Sequence, residues 1–273
     1  KRPSEADELE SFMLWCNENG GSSDFSLGIL AFLVQLGKAS EDSVLVPHTT
    51  LLNQILNVID MNVPGSNTIT LKLVLKLRSR LAQLEAKGGS SVSLNYFVSA
   101  LKHRDTVIRW TAAKALRRIV LVTSNSLICK VLLDHLEAEF NSPMGASPHA
   151  LHGLFLAIGQ LLNYKLFNIS DSEFKLSDLI LKGLKFDQPK GSYAVGSFVR
   201  DATCYVVWSL ARYNVISESQ DHKIISGLCN MSLFDREVAG RRAASAALQE
   251  YIGRIGGSRQ EIYLPILTHV HFF

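Results

Sequence analysis

The sequence predicts an all-α protein, a right-handed α-solenoid of HEAT- or armadillo-like helical repeats. Three observations support this fold class. Apolar residues recur at helical spacing along most of the 273-residue chain, and convincing alternating β-patterns are absent. Related segments return every 41–49 residues, close to the period of roughly 40–47 residues of arrays that stack two helices per unit. We therefore expect roughly five or six helix pairs, each burying its apolar face on its neighbours.

The predicted helices are short and are separated by clear turn signals. Breaks are marked by Asn-, Gly- and Ser-rich stretches at 17–23 and 88–91, and by prolines or paired glycines elsewhere. The helices are predicted at 4–18, 25–37, 47–62, 68–86, 92–103, 105–122, 125–140, 148–163, 172–185, 195–213, 219–231, 235–255 and 259–269.

The helix predicted at 68–86 shows how one element serves both core and surface. Aliphatic residues share one face, and three cations recur every fourth residue on another: Lys72, Lys76 and Arg80. The aliphatic face is predicted to be buried. The basic face is either an ordinary solvated surface or a docking surface for an acidic partner.

Four anchor positions mark the repeat: Arg109, Leu151, Arg200 and Arg241, at intervals of 42, 49 and 41 residues. Three of them place an arginine before small residues, and an aliphatic residue follows seven positions later. The segment that starts at Leu151 matches this pattern less well, because it has leucine in place of the arginine. The small residues predict close stacking of neighbouring helices.

A structural role is predicted for the arginines and the aspartates near them. Asp235 is expected to cap a helix start at 235, where free backbone N–H groups and the helix dipole favour a carboxylate. The stem of Arg241 is expected to pack while its guanidinium reaches a carboxylate or the carbonyls that end a neighbouring helix. The predicted Asp–Arg ladder between repeats comprises Asp105, Arg109, Arg200, Asp201, Asp235 and Arg241.

The sequence predicts no catalytic residue, cofactor or metal site, and so a protein that is not an enzyme. Phosphate-loop, nucleophile-elbow, zinc-protease and dinucleotide motifs are absent. His149 and His152 lie one helical turn apart but lack a nearby third ligand, and the four cysteines are scattered. A net charge of +3 is well short of a dedicated nucleic-acid binder. The most apolar run is too short for a membrane helix, which needs about 20 residues.

Two further groups of residues on the predicted helices are candidates for partner binding. Trp110 and Trp208 are predicted to fill the core between repeats, with exposed binding anchors as the alternative. Lys114, Arg117 and Arg118 form a basic cluster at helical spacing, which is either a solvated face or a contact for an acidic protein.

The loop at 186–193 is the preferred candidate among the connections. It is rich in polar and turn-forming residues and lies between two repeats, where solenoids often carry binding residues. Lys190 and Tyr193 are its predicted contacts.

Four segments, taken together and in order, resemble one known family. They are 105–114 (DTVIRWTAAK), 152–157 (HGLFLA), 195–208 (VGSFVRDATCYVVW) and 234–247 (FDREVAGRRAASAA). They are similar to segments of the tubulin-folding cofactor D family of large HEAT-repeat tubulin chaperones. Because the family's proteins are several times longer, and because this chain starts without methionine, it is expected to be an internal segment.

The resemblance implies a cytoplasmic, microtubule-associated chaperone without enzymatic activity. Its implied partners are β-tubulin, the tubulin-folding cofactors E and C, and an Arf-like small GTPase. With the cofactors it would assemble or dissociate the α/β-tubulin heterodimer, and any GTP hydrolysis would belong to the partners. On this view residues 1–100 are divergent N-terminal repeats and 101–273 carry the motifs, in one continuous solenoid. The alternative is a generic HEAT-repeat adaptor for transport or vesicle-coat cargo.

Overall fold

The computed structural model describes residues 5–19, 23–39, 42–62, 67–88, 93–123, 127–167, 173–212, 218–254 and 263. The chain divides into two compact units. The first comprises Lys1–Phe97 with Arg118–Thr123, and the second comprises Val98–Arg117 with Ser124–Phe273. The prediction that the repeats form one continuous solenoid stays a prediction.

The first unit is a packed group of helices. Its elements are α1 (Glu5–Asn19), α2 (Ser23–Ala39), α3 (Asp42–Leu45), a 3-10 turn (Val46–His48), α4 (Thr49–Asn62) and α5 (Thr68–Lys87). Helix α2 packs on α5, α1 packs on α4, and α4 packs on α5. Helix α5 begins at Thr68 because the side chain of Asn67 accepts a hydrogen bond from the backbone N–H of Ile69. The predicted aliphatic face of α5 supplies buried core residues, among them Val74, Leu77 and Leu81.

Two helices contain a boundary between the units. Helix α6 (Asn95–Ala100) includes the junction after Phe97, and α7 (Thr106–Thr123) contributes its residues from Arg118 onward to the first unit.

The second unit is a two-layered helical array. Its further elements are α8 (Leu127–Phe140), α9 (Pro148–Asn163), α10 (Glu173–Leu184), β1 (Gln188–Lys190), β2 (Tyr193–Val195), α11 (Ser197–Ala211), α12 (Glu218–Phe234) and α13 (Val238–Arg254). Helices α9, α11 and α13 pack side by side in one layer, and α8, α10 and α12 form the other. Across the layers α8 packs on α9, α10 on α11 and α12 on α13. The prediction of an all-α helical-repeat fold is confirmed.

The anchor positions found in the sequence share one structural register. Arg109, Leu151, Arg200 and Arg241 are each the fourth residue of their helix, in α7, α9, α11 and α13. Helix α9 starts with Pro148 at its first position, and the Ser147 side chain accepts from the backbone N–H of Ala150. The intervals between the anchor positions in the sequence therefore correspond to successive helix pairs in the structure.

Several predicted boundaries differ from the structure. The helix predicted at 47–62 begins at Thr49, after α3 and the 3-10 turn. Helix α12 continues to Phe234 and α13 begins at Val238, so Asp235 lies between two helices rather than at a helix start. The loop predicted at 186–193 carries part of a short antiparallel hairpin, in which Lys190 faces Tyr193. The helix predicted at 259–269 lies outside the described residues, apart from position 263.

One contact in the second unit leaves no room for a side chain. A Cβ atom placed on Gly153 of α9 would lie 1.9 Å from the carbonyl oxygen of Leu101. Glycine therefore lets α9 meet the backbone that follows α6.

Within the described ranges, no helix is both long and apolar enough to cross a membrane.

Candidate functional site

The guanidinium of Arg109 is buried at the start of α7, where only 2% of the residue is exposed. Its Nε donates to Nδ1 of His152 on α9 at 2.9 Å. Its Nη1 donates to the carbonyls of His103 and Arg104, each at 2.7 Å, and its Nη2 donates to the Thr106 hydroxyl at 2.7 Å. Arg109 therefore ties the connection before α7 to helix α9.

Asp105, the predicted ladder partner of Arg109, caps the same helix. Its Oδ1 accepts from the backbone N–H of Val107 at 2.7 Å. Burial lowers the pKa of Arg109, and the charge of Asp105 opposes that shift.

The two histidines of α9 belong to this buried cluster. His152 accepts from Arg109 through Nδ1, so the neutral ring carries its proton on Nε2. Burial, followed by the charges of Arg109 and His149, lowers the pKa of His152 to about 3. His149 stacks on the Phe198 ring with the centroids 5.6 Å apart. Across the described part of the chain, no group of three His, Cys, Asp or Glu side chains is placed to hold a metal ion.

The depressed pKa of His152 makes stability dependent on pH in a definite direction. Between the ordinary pKa of 6.5 and about 3, the unfolded chain binds one more proton at this position than the folded chain. Stability therefore falls as the pH falls through this window, at up to about 1.4 kcal/mol per pH unit. Between about pH 7 and about pH 5, wild type should lose about 2 kcal/mol more than His152→Gln in urea unfolding. Equal losses in the two proteins would show that His152 titrates normally when folded.

Among the described ion pairs of the second unit, the pair that Arg200 forms with Asp235 is the most buried. Its Nε and Nη2 donate to the two carboxylate oxygens of Asp235 at 2.6 and 3.0 Å, and both side chains are almost fully buried. Its Nη1 donates to the Phe186 carbonyl at 2.9 Å and lies 3.4 Å from Oδ1 of Asp187. The structure thus pairs Arg200 with Asp235, 35 residues away, and leaves the neighbouring Asp201 exposed on α11.

The Asp235 carboxylate is held from several directions. Besides Arg200, the backbone N–H of Glu237 donates to it at 2.9 Å. A Cβ on Gly240 would lie 2.8 Å from Cγ of Asp235, so the first turn of α13 approaches the carboxylate closely. Burial alone would raise the pKa of Asp235. The hydrogen bonds from Arg200 and from the backbone of Glu237, together with the charges of Arg200 and Arg236, outweigh burial and hold the pKa below its ordinary value.

Arg241 repeats the geometry of Arg109. Its Nη1 donates to the carbonyls of Asp235 and Arg236 at 2.6 and 3.4 Å, which lie six and five residues before it. Arg109 binds the carbonyls at the same two offsets. These arginines close the connections that precede their own helices, rather than reaching the end of a neighbouring helix.

The hairpin between α10 and α11 places Lys190 and Tyr193 at the surface. Both residues are exposed and lie opposite each other in the two strands. The side chain of Gln188 donates to the Ala146 carbonyl at 3.2 Å, which joins the hairpin to the connection before α9. Both predicted loop residues are therefore presented on a supported turn.

Three aromatic rings and two cations form a row across α7 and α11, which we call the aromatic row. The Lys114 ammonium lies 5.2 Å from the Trp110 ring centre, and Trp110 meets Tyr205 edge-on with the centroids 5.6 Å apart. Tyr205 stacks near Trp208 at 6.2 Å, and the Arg212 guanidinium lies 4.2 Å above Trp208. The rings are half-buried and both cations are exposed. The row is therefore partly core and partly surface.

Helix α9 packs against the aromatic row at Tyr205. A Cβ on Gly159 would lie 2.5 Å from the Tyr205 ring, and Nε2 of Gln160 donates to the Tyr205 hydroxyl at 2.7 Å. Beside the row, the Arg117 guanidinium lies 3.9 Å above the Tyr164 ring at the end of α9. We call the aromatic row together with Arg117 and Tyr164 the aromatic surface.

The three cations of the predicted basic cluster at 114–118 have different neighbours. Arg118 lines a cleft of the first unit with Lys38 of α2 and with Lys76 and Arg80 of α5. Lys72, one turn earlier on α5, is not among the residues that line this cleft. Lys76, Arg80 and Arg118 are thus brought together, whereas the other members of that cluster lie over aromatic rings.

The sequence interpretation missed Tyr205, Arg212 and Tyr164 as members of the aromatic surface. A signal for two of them was present, because Tyr205, Trp208 and Arg212 are spaced by three and four residues and so share one helix face. Tyr164 follows α9 and is brought to Arg117 only by the fold.

The stacked helix pairs and the shared register of their anchor residues define an armadillo-type repeat protein. Residues 80–262 match the family model described as "Tubulin-specific chaperone D-like, ARM repeats", and the chain belongs to that family. The resemblance found in the sequence is thereby confirmed.

Two curated relatives match about two thirds of the chain. "Tubulin-specific chaperone D" of Dictyostelium discoideum is 38% identical over 179 residues, which cover 64% of this chain and 12% of the relative. "Tubulin-folding cofactor D" of Schizosaccharomyces pombe is 30% identical over 197 residues, which cover 66% of this chain and 17% of the relative. The chain therefore corresponds to a small part of the length of each.

Proposed function

We propose that this chain is the scaffold segment of a non-enzymatic tubulin-folding cofactor and that its second unit binds β-tubulin. Family membership and the names of the two relatives support the role in tubulin folding. One structural observation carries the binding proposal. Within the matched residues, Lys114, Arg117 and Arg212 lie over half-buried or exposed aromatic rings of a single surface.

The chemistry of this surface suits an acidic protein. Trp, Tyr and Arg dominate the residues that contribute most to binding energy at protein interfaces. Cations that already rest on rings lose less side-chain freedom when a carboxylate arrives, so they act as preorganised contacts. Glu250 is shared by Arg212 and Arg254, so the cations at that end of the row outnumber the carboxylate between them. Positive charge at the rim steers association with the acidic surface of tubulin.

The wider role follows the same proposal. The chain would act in the cytoplasm on the microtubule cytoskeleton, with cofactors E and C and an Arf-like small GTPase as further partners. Assembly or dissociation of the α/β-tubulin heterodimer would proceed by binding alone, and nucleotide hydrolysis would take place on tubulin and on the GTPase. Lys190 and Tyr193 on the hairpin are the proposed contacts outside the aromatic surface.

Charge reversal on the aromatic surface tests the binding proposal. Lys114→Glu with Arg117→Glu should weaken tubulin binding at least about tenfold, because two attractive contacts become repulsive. The melting temperature should fall by no more than about 4 °C, because neither residue lies in the buried core. Binding is measured by co-elution with purified tubulin and by titration.

The matched control is Lys130→Glu with Lys223→Glu, which changes the net charge equally at exposed positions of α8 and α12. Tubulin affinity should stay within about twofold of wild type in this control. Unchanged affinity in the Lys114/Arg117 variant, or an equal loss in the control, would contradict a specific role for the aromatic surface.

A further inference from the structure

The guanidinium of Arg117 on α7 has no hydrogen-bond acceptor among the residues that the structure describes. Its Nε is buried and makes no hydrogen bond. Arg109 and Arg200, by contrast, each donate through all three guanidinium nitrogens to other parts of the chain. The donors of Arg109 and Arg200 therefore serve the fold, whereas those of Arg117 remain available to a ligand.

The orientation of Arg117 is fixed by stacking. Its guanidinium carbon lies 3.9 Å from the centre of the Tyr164 ring at the end of α9. Half of Tyr164 is exposed and Arg117 is half-buried, so the stacked pair lies at the boundary between core and solvent. Nη1 and Nη2 are neither buried nor bonded to the described residues, so the end of the guanidinium faces a partner with two donors. A guanidinium held in this way loses little freedom on binding.

Lys114 supplies a second cation one turn earlier on the same helix. Its ammonium lies 5.2 Å from the centre of the Trp110 ring, and the residue is exposed. No described residue forms an ion pair with it. An ammonium is a rotatable point charge, which attracts an anion without fixing its orientation. Because Lys114 already provides charge, what arginine adds at position 117 is geometry.

We propose that Arg117 determines the specificity of the aromatic surface by binding one carboxylate group of the acidic partner end-on through Nη1 and Nη2. This inference rests on the proposed binding of tubulin by the same surface. A carboxylate presents two oxygens that match two parallel N–H donors, and such bidentate pairs are short and directional. The buried Nε excludes approach from the side of the guanidinium, which leaves the end-on geometry.

Two substitutions that keep the net charge separate geometry from charge. Arg117→Lys removes the paired donors and should weaken tubulin binding about tenfold. The loss should appear in the dissociation rate, while the association rate stays within about twofold because steering depends on charge. The matched control is Arg118→Lys, the same change at the next residue, which is exposed and lines the cleft of the first unit. Its tubulin affinity should stay within about twofold of wild type.

The rates are measured by surface plasmon resonance, with the 273-residue chain immobilised and purified tubulin in solution. Circular dichroism verifies that each variant is folded. A chemical arm then identifies the group that Arg117 binds. The exposed carboxylates of tubulin are converted to amides with a carbodiimide and glycinamide, and gel filtration verifies that the heterodimer stays intact. Wild type and Arg117→Lys should bind this amidated tubulin equally weakly.

The outcomes separate this inference from the proposed function. If Lys114→Glu with Arg117→Glu weakens binding but Arg117→Lys does not, tubulin binding stands and the role of the guanidinium geometry is overturned. An equal loss in Arg118→Lys overturns it as well, and so does a difference between wild type and Arg117→Lys that persists with amidated tubulin. If wild type does not bind tubulin, both proposals fail.

Discussion

Asp235→Asn is expected to lower the free energy of unfolding by about 3–5 kcal/mol. The substitution keeps the size of the side chain but removes the charge that balances the buried guanidinium of Arg200. Arg200 and Asp235 expose 7% and 3% of their side chains, so water cannot replace the lost partner. Asp187, at 3.4 Å and already bound to Arg236, is a weaker substitute. Urea unfolding followed by circular dichroism measures the change.

Asp201→Asn is the matched control for this prediction. Asp201 is next to Arg200 in sequence but is exposed, and the bidentate pair is made by Asp235. Its substitution should change stability by no more than about 0.5 kcal/mol. An equal loss in both variants would mean that the two aspartates contribute alike to balancing Arg200.

Gly153→Ala is expected to destabilise the protein by about 3 kcal/mol or more. The added methyl carbon would lie 1.9 Å from the Leu101 carbonyl oxygen, and the atoms it meets are backbone atoms that cannot rotate away. Either α9 or the chain after α6 must move, which disturbs the buried Arg109–His152 bond one residue away. The loss is measured by urea unfolding.

Gly28→Ala is the same chemical change as Gly153→Ala, but it is expected to raise the free energy of unfolding. Gly28 is an exposed position inside α2, and a Cβ there would meet no atom within 4 Å. The substitution should stabilise the protein by about 0.5–1 kcal/mol, because alanine has the higher helix propensity. If Gly153→Ala also left stability unchanged or raised it, the close contact with Leu101 could not exist in solution.

Most of the helices were predictable because periodicity and breakers are local signals. Helix α9 shows this best, since Pro148 and Ser147 mark its start in the sequence and the predicted range 148–163 agrees with the structure. The repeat register was also predictable, because Arg109, Arg200 and Arg241 stand in similar frames. Asp235 shows the limit: the helix predicted from it begins at Val238, and its carboxylate binds Arg200.

The partners of the anchor residues were not predictable in the same way. Sequence proximity favoured Asp201 as the partner of Arg200. The actual partner is Asp235, because the fold brings that segment next to the guanidinium. The same limit applies to the surfaces. Arg117 and Arg118 are adjacent, yet successive helix positions point about 100° apart, so one lies over Tyr164 and the other lines the cleft near Arg80. Sequence spacing placed these cations on one side of α7, but it did not predict the neighbours that each of them meets.

The hairpin explains why one repeat is longer than its neighbours. Arg109 and Arg241 close their connections by binding carbonyls six residues earlier, whereas Arg200 binds the carbonyl of Phe186, fourteen residues earlier. The interval from Leu151 to Arg200 is longer than the other two by about the length of the Gln188–Val195 hairpin. Arg200 binds the chain at Phe186, just before the hairpin starts. The additional residues of the hairpin therefore lie outside the helix stack and do not shift the helices that follow. Residues can thus be added at this connection while the helices that follow keep their positions in the repeat.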